Sequence, residues 1–310
     1  MAEPVALAAL ALDAGLGWPG WLYARIGHPV GGFARLIAAC ERHWNRPEVP
    51  EARRRVLGVV TVLLLLLVAV GAGWAIEHLA AGLPGGWLIV ALAAFPGIAQ
   101  RSLYEHVVPV ASALARGDVA TARTRVGYIV GRDTAQLDPS AIARAALESL
   151  AESFCDGIVA PLFWLLVAGL PGLWAYKAIN TADSLIGHRE PRWRAFGWAA
   201  ARTDDLMNLL PSRLSGLALC LVAGRGWRVL HRDAHKHASP NAGWPEAAMS
   251  GALDVRLAGP VAYDGVLHAK PWIGEGRAEA TPQDVRRGLT LYVRACALLW
   301  LVAGGIAWLR

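Results

Sequence analysis

Charge is scarce in this sequence. Only 17% of its 310 residues are Asp, Glu, Lys or Arg, against about 25% in a soluble domain. Hydrophobic residues make up 55%, and the mean hydropathy is +0.37. The deficit is uneven, with some stretches nearly free of charge and others dense in it, as expected of a chain solvated partly by lipid and partly by water. Other absences narrow the class. The four cysteines, Cys40, Cys155, Cys220 and Cys296, form no CxxC pair; this argues against a disulfide framework or a thiolate metal site and leaves them as small apolar fillers. There is no GxxxxGK[ST] loop and no GxGxxG after a strand, so neither standard nucleotide cradle is present. No long alternating strand pattern and no 20–50-residue repeat is found. The net charge is +6, but it resides in arginines beside apolar runs, without a basic, aromatic-bearing stripe, so nucleic acid is not an expected partner. His231, His235 and His237 are spaced loosely, and their neighbours Arg232 and Lys236 disfavour a cation.

What is present is a set of apolar runs. Val56 to Ile76 holds five consecutive leucines, Leu63 to Leu67, and no charge in 21 residues; at 1.5 Å per residue it covers about 30 Å, one hydrocarbon thickness. Spans are expected at about 4–23, 56–76, 86–99 and 291–309, with half-spans at 158–174 and 214–224 and a long polar loop at 231–288. The first run lacks a basic leader and is interrupted by Asp13, so it reads as a retained membrane helix. Arg25 to Arg55 holds seven arginines and should face the cytoplasm, whereas Glu77 to Gly85 holds no Lys or Arg and should face outward. If 158–174 crossed fully, the basic segment Ala175 to Arg213 would land outside, so a re-entrant hairpin is preferred. Between spans, Ala111 to Ile129 and Pro139 to Ser153 read as helices, the second opened by Asp138 as N-cap and Pro139 at N1. The expected fold is all-α: a polytopic helical integral membrane protein with cytoplasmic helical and long-loop segments, one domain over 1–310.

Polar clusters in the loops suggest chemistry. Gly131-Arg132-Asp133-Thr134 precedes a helix start. Arg144, Glu148, Glu152 and Asp156 recur every four residues along one helical face. Three carboxylates there suit a bound Mg²⁺, though a solvated face with an Arg–Glu pair explains the spacing equally well. Tyr176-Lys177 is followed by Asn180, Thr181, Asp183 and Ser184; Asp204-Asp205 is followed by Asn208 and Arg213. Adjacent carboxylates with an amide one turn on are suited to holding Mg²⁺ against a phosphate, or simply to capping a helix. Ser239-Pro240-Asn241-Ala242-Gly243-Trp244-Pro245-Glu246 fixes a specific turn and offers hydrogen bonds from Ser239, Asn241 and Glu246.

At these clusters the chain resembles the adenosylcobinamide-phosphate synthase family of cobalamin biosynthesis. The resemblance runs nearly end to end through His28-Pro29-Val30, Val130-Gly131-Arg132-Asp133-Thr134, Glu148-Ser149-Leu150-Ala151-Glu152-Ser153, Asp156-Gly157, Tyr176-Lys177-Ala178-Ile179-Asn180-Thr181, Asp183-Ser184, Asp204-Asp205 and the Ser239–Glu246 run. Pro211-Ser212-Arg213 departs from the family's usual Pro-Ala-Arg by one small-for-small change. The resemblance implies a multi-pass enzyme of the inner membrane, working at the cytoplasmic face. It would join aminopropanol, or its phosphate, to a carboxyl side chain of adenosylcobyric acid and consume ATP.

Under that implication, Asn180, Asp183, Asp204, Asp205 and Asn208 would hold Mg²⁺ on nucleotide phosphates. Arg132, Lys177 and Arg213 would stabilise charge on the transferring oxygens. Glu148 or Glu152 would take the proton of the attacking ammonium. Asp133, Thr134, Asp156, Tyr176, Thr181, Ser184, Ser239, Asn241, Trp244 and Glu246 would contact substrate. The lipid bilayer is an expected partner, as are further corrinoid-assembly enzymes or a second copy of the chain. Two rivals are a Mg²⁺-dependent membrane prenyltransferase-like enzyme and a non-catalytic relative serving as a membrane sensor.

Overall fold

The computed structural model describes residues 4–131, 133–263, 266–268 and 270–309. In chain order the helices are α1 (Val5–Leu16), α2 (Gly20–Ile26), α3 (Pro29–Trp44), α4 (Glu51–Ala81), α5 (Trp87–Ala94), α6 (Gln100–Ala115), α7 (Val119–Gly127), α8 (Pro139–Phe154), α9 (Ala160–Ile186), α10 (Trp198–Met207), α11 (Leu209–Ala223), α12 (Trp227–Asp233), α13 (Gly243–Leu253) and α14 (Pro282–Leu309). Four short strands, β1 (Leu257–Ala258), β2 (Val261–Tyr263), β3 (Val266–His268) and β4 (Trp272–Ile273), pair antiparallel as β1 with β4 and β2 with β3. Glu51–Ala81, Trp87–Ala115, Pro139–Ile186 and Pro282–Leu309 are long and apolar enough to cross a membrane. The chain is an all-α membrane protein.

Several expected boundaries shift. The span expected at 4–23 is interrupted: α1 ends at Gly17 (φ 57°), Pro19 follows, and the helical path bends by 104°. The run at 86–99 is not self-contained, because a 3₁₀ turn at Phe95–Gly97 links α5 onward into the longer apolar stretch. The single helix expected over Ala111 to Ile129 is two. Gly117 (φ 74°) ends α6, and the Asp118 carboxylate restarts the chain by accepting the Thr121 amide at 3.0 Å. The polar loop expected at 231–288 contains α13, the four strands and the start of α14. Its short apolar runs, Ala247-Ala248-Met249 and Leu257-Ala258, are too brief for periodicity to separate helix from strand.

The chain divides into two compact units: residues 1–99, 160–208 and 303–310, and residues 100–159 and 209–302. In the first, α4 shows how sequence selects its surroundings. Gly58, Thr61, Val62, Leu65, Ala69 and Gly73 recur every three or four residues and are buried, while Leu63, Leu67 and Trp74 on other faces are 59–71% exposed. Small residues inside and leucines outside are what a helix in lipid needs, since apolar area gains nothing by leaving hydrocarbon and close backbone packing does the holding. At Gly73 a Cβ would stand 2.7 Å from Pro171 N, and at Gly58 it would collide with the Phe196 carbonyl. These two contacts run α9 and the connection that follows it back along α4, where Arg194 pairs with Glu51 at 3.0 Å.

The turn at the far end of α9 is explicit. Ala168 (φ −132°, ψ 18°) and Gly169 (φ 65°, ψ −161°) are not helical, and Glu77 Oε1 accepts the Leu170 amide at 2.7 Å, capping the second half-helix. The second unit is built around α8. Asp138 caps it through the Ala141 amide at 2.7 Å, and Leu147, Leu150 and Phe154 are fully buried. Phe154 meets the Tyr292 ring edge-on, and Tyr292 donates to the Gln100 carbonyl at 2.6 Å. A π-helical turn at Cys155–Val159 follows α8.

Candidate active site

In the first unit the sequence-predicted metal set gathers on α9 and α10. Asp204 is 8% exposed. Its Oδ1 accepts from Asn180 Nδ2 at 3.3 Å and its Oδ2 from Asn208 Nδ2 at 3.0 Å, while Asn208 Oδ1 accepts from the Tyr176 hydroxyl at 3.1 Å. Tyr176 is fully buried, so it acts on Asn208 from behind. The four residues converge because Tyr176 and Asn180 share a face of α9 at i,i+4, and Asp204 and Asn208 share one at the end of α10. The Asp183 and Asp205 carboxylates repel Asp204, and Asp205 also pairs with Arg202 at 3.1 Å. Thr181 and Ser184 bond their own helix, donating to the Lys177 and Asn180 carbonyls at 2.6 and 2.9 Å. His28, not in the predicted set, caps α3 through Nδ1 and the Val30 amide at 3.2 Å, lies against Trp18 and feels the charge of Lys177. Its signals in the sequence were the His-Pro dipeptide at a helix start and its place in the His28-Pro29-Val30 motif of the resemblance.

The second unit carries a separate polar group. The Arg213 guanidinium donates to Asn241 Oδ1 at 3.2 Å and lies 4.7 Å from the Trp244 ring centre; Ser212 Oγ donates to the same Asn241 oxygen at 3.3 Å. Ser239 Oγ accepts the Asn241 and Ala242 amides at 3.2 and 3.3 Å, which folds the Pro–Asn–Ala turn and starts α13. His237 Nδ1 accepts the Ser239 amide at 3.0 Å, and Nε2 lies 3.7 Å from Glu246 Oε1. Burial, reinforced by the Lys270 charge, pushes the His237 imidazole below its ordinary value. Glu148 Oε1 accepts the Ala258 amide at 2.8 Å, whereas Glu152 is exposed on the same helix and Asp156 is half-buried in the π turn. Asp133 accepts the Ala135 amide at 2.8 Å and Thr134 donates to the Arg123 carbonyl at 3.1 Å. Arg132 lies outside the described residues.

A buried ion network unmarked by any motif lies nearby in this unit. Asp233 is fully buried and takes the Arg232 fork at 2.7 Å on both oxygens, Lys236 Nζ at 2.7 Å and the Gly274 amide at 2.7 Å. The Arg232 fork, with Lys236 and Gly274, holds the Asp233 carboxyl far below the usual carboxylate range. Its role is architectural: it ties the end of α12 to the turn after β4.

The model of the CobD/Cbib protein family matches residues 6–292. The chain belongs to the CobD/Cbib family. It is 51% identical over 305 residues to the cobalamin biosynthesis protein CobD of Rhodobacter capsulatus, covering 96% of this chain and 95% of that one. It is 46% identical over 302 residues to CobD of Sinorhizobium sp, covering 94% of each, and 42% identical over 315 residues to CobD of Geobacter metallireducens, covering 97% and 96%. No solved structure matches. As a CobD/Cbib protein, the chain has a role in cobalamin biosynthesis.

Proposed function

We propose that the protein is an amide-forming ligase that joins aminopropanol, or its phosphate, to a carboxyl side chain of adenosylcobyric acid at the cytoplasmic face of the inner membrane, using ATP. The observation that carries this reading is the buried Asp204 held between two carboxamides, because a carboxylate taken out of water is costly unless a cation or donors meet it. The described residues form no salt bridge to Asp204, and three carboxylates act within one cluster. Such hard oxygen donors fit Mg²⁺. Among the described residues no three His, Cys, Asp or Glu side chains converge on one point, so phosphate oxygens and water would complete the shell, as they commonly do for this ion. Bound there, the ion would neutralise phosphate charge.

The chain's own residues do the rest. In the proposed reaction the substrate carboxylate attacks the γ-phosphorus of ATP, ADP leaves, and the acyl phosphate forms. The amine nitrogen then attacks the acyl carbon, phosphate departs with the C–O electrons, and one ammonium proton passes to a base. Glu152, exposed on α8, is our assignment for that base in preference to the half-buried Glu148. Lys177, on α9 with Asn180, is our assignment for a cation that meets the transferring oxygens. The test is turnover of adenosylcobyric acid with ATP, Mg²⁺ and either amine in proteoliposomes. Asp204→Ala should abolish the product while Asp118→Ala, at an exposed helix cap, should not; full activity in Asp204→Ala would falsify the assignment.

A further inference from the structure

A groove of about 520 Å³ lies between α6 and α14, both within the second unit and away from the polar groups above. Arg286, Thr290 and Arg294 fall at i, i+4 and i+8, so they form one stripe on α14. Beside that stripe Leu289 and Val293 form the apolar floor with Val108 of α6, and Tyr104 stands at the edge. Both arginines are exposed, and so are Val293 at 50% and Tyr104 at 43%. Among the described residues no carboxylate lies within 4 Å of Arg286 or Arg294. The nearby acids are engaged elsewhere: Asp284 with Arg277 and Arg287 at 2.8 and 3.0 Å, and Glu105 with Arg101 at 2.7 Å.

Depth supplies the second argument. Beyond Arg294, α14 continues through Ala295 to Leu309 without a charged residue and with Leu301 74% and Trp308 89% exposed. Those 15 residues reach about 22 Å, less than the roughly 30 Å of a hydrocarbon core. The Arg294 backbone therefore falls several ångströms short of the hydrocarbon edge, so that its stem lies along apolar surface and its head reaches the level of lipid phosphates. A water-facing helix would have no use for a half-exposed Val293 between the two cations, and a purely lipid-facing one would not carry the cations. We propose that this groove binds an anionic glycerophospholipid, its phosphate between Arg286 and Arg294 and an acyl chain along Val108, Leu289 and Val293.

The test uses the full-length purified protein in detergent, titrated with phosphatidylglycerol, phosphatidylcholine or inorganic phosphate and read by native mass spectrometry. Phosphatidylglycerol should bind in preference to phosphatidylcholine. The pair Arg286→Gln, Arg294→Gln should weaken it about 30-fold, the combined attraction of two surface arginines for an anionic headgroup. Ser112→Phe, which fills the groove without changing charge, should block it too. Arg116→Gln with Arg125→Gln, on exposed positions outside the groove, should leave binding unchanged. Equal binding of phosphatidylcholine, displacement by inorganic phosphate at comparable concentration, unchanged binding in the groove pair, or an equal loss in the control pair would each overturn the proposal.

Discussion

Tyr176→Phe removes a single hydroxyl from the interior of the candidate site. That hydroxyl donates to Asn208 Oδ1 at 3.1 Å, and Asn208 in turn donates to Asp204 Oδ2 at 3.0 Å. Tyr176 is fully buried and Asn208 is 2% exposed, so water cannot readily replace the lost donor. Losing the bond costs about 1 kcal/mol net, rising towards 3 if the amide oxygen is left unsatisfied. The larger consequence is functional. Without its anchor the Asn208 amide is free to turn, and Asp204 loses one of the two carboxamides that fix it. We expect melting in detergent to show the 1–3 kcal/mol loss, and turnover to fall further than the folded fraction does. A double-mutant cycle separates the two effects: Tyr176→Phe and Asn208→Ala should be non-additive by about 1–2 kcal/mol in both stability and kcat, as residues in one hydrogen-bonded network are. Additive losses, or turnover that simply tracks folded protein, would show that Tyr176 is ordinary core and that the network has no part in catalysis.

Three further perturbations follow from particular contacts. Gly73→Ala should destabilise by about 1–3 kcal/mol, because its Cβ would press on the backbone of Leu170 and Pro171, whereas Gly71→Ala, with nothing within 4 Å, should be neutral in the same melting assay. Glu77→Leu should cost about 1–2 kcal/mol by uncapping Leu170, with Glu77→Gln close to wild type because an acceptor remains; equal losses in both would mean that the charge, not the cap, matters. His237 has a folded-state pKa depressed by burial, so its contribution to stability is complete above the unfolded value near 6.5 and is lost as pH falls from there through the folded value. Melting of wild type should therefore weaken below pH 6.5, and His237→Gln should flatten that slope.

Most of the helical framework was legible in the sequence because it depends on long-range composition. Val56 to Ile76 reads as a span from its length alone, and Asp138-Pro139 announces the start of α8 in two residues. The bends were less legible. Gly17 and Pro19 are common enough in membrane helices that neither predicts a 104° turn. The grouping of Asn180 with Asp204 and Asn208 was implied by the resemblance and not by spacing, which shows only two separate clusters; their convergence depends on the path of the 187–197 connection. There Gly58 admits the Phe196 carbonyl, and Arg192 grips Glu41 at 2.7 Å across 151 residues of sequence. The Asp233 network left no sequence trace at all, since an Arg-Asp dipeptide followed by Lys is what any solvated helix end might carry.

The broken α9 explains how a polar cluster can exist in so apolar a unit. A continuous helix through 160–186 would not bring Tyr176, Lys177, Asn180 and Asp183 back towards the Gly58 end of α4. It would also leave their polar atoms to be satisfied one helix at a time. Breaking at Gly169 lets the second half begin beside Gly73 and climb back towards Gly58, the end where Arg55 lies 5.3 Å from Trp198 at the start of α10. From Leu170 to Asn180 is about 15 Å of helix, so the cluster is reached part-way up the return. There α9 and α10 supply each other's hydrogen-bond partners, the condition under which polar groups survive at membrane depth. Glu77 makes this geometry possible without touching the cluster: by holding the Leu170 amide it satisfies the one backbone donor that the break exposes. The cap at Leu170 and the cluster at Asn180 therefore lie about 15 Å apart on one half-helix. Losing the cap in Glu77→Leu should for that reason lower both stability and turnover, while Asp204→Ala should lower turnover further than its loss of stability accounts for.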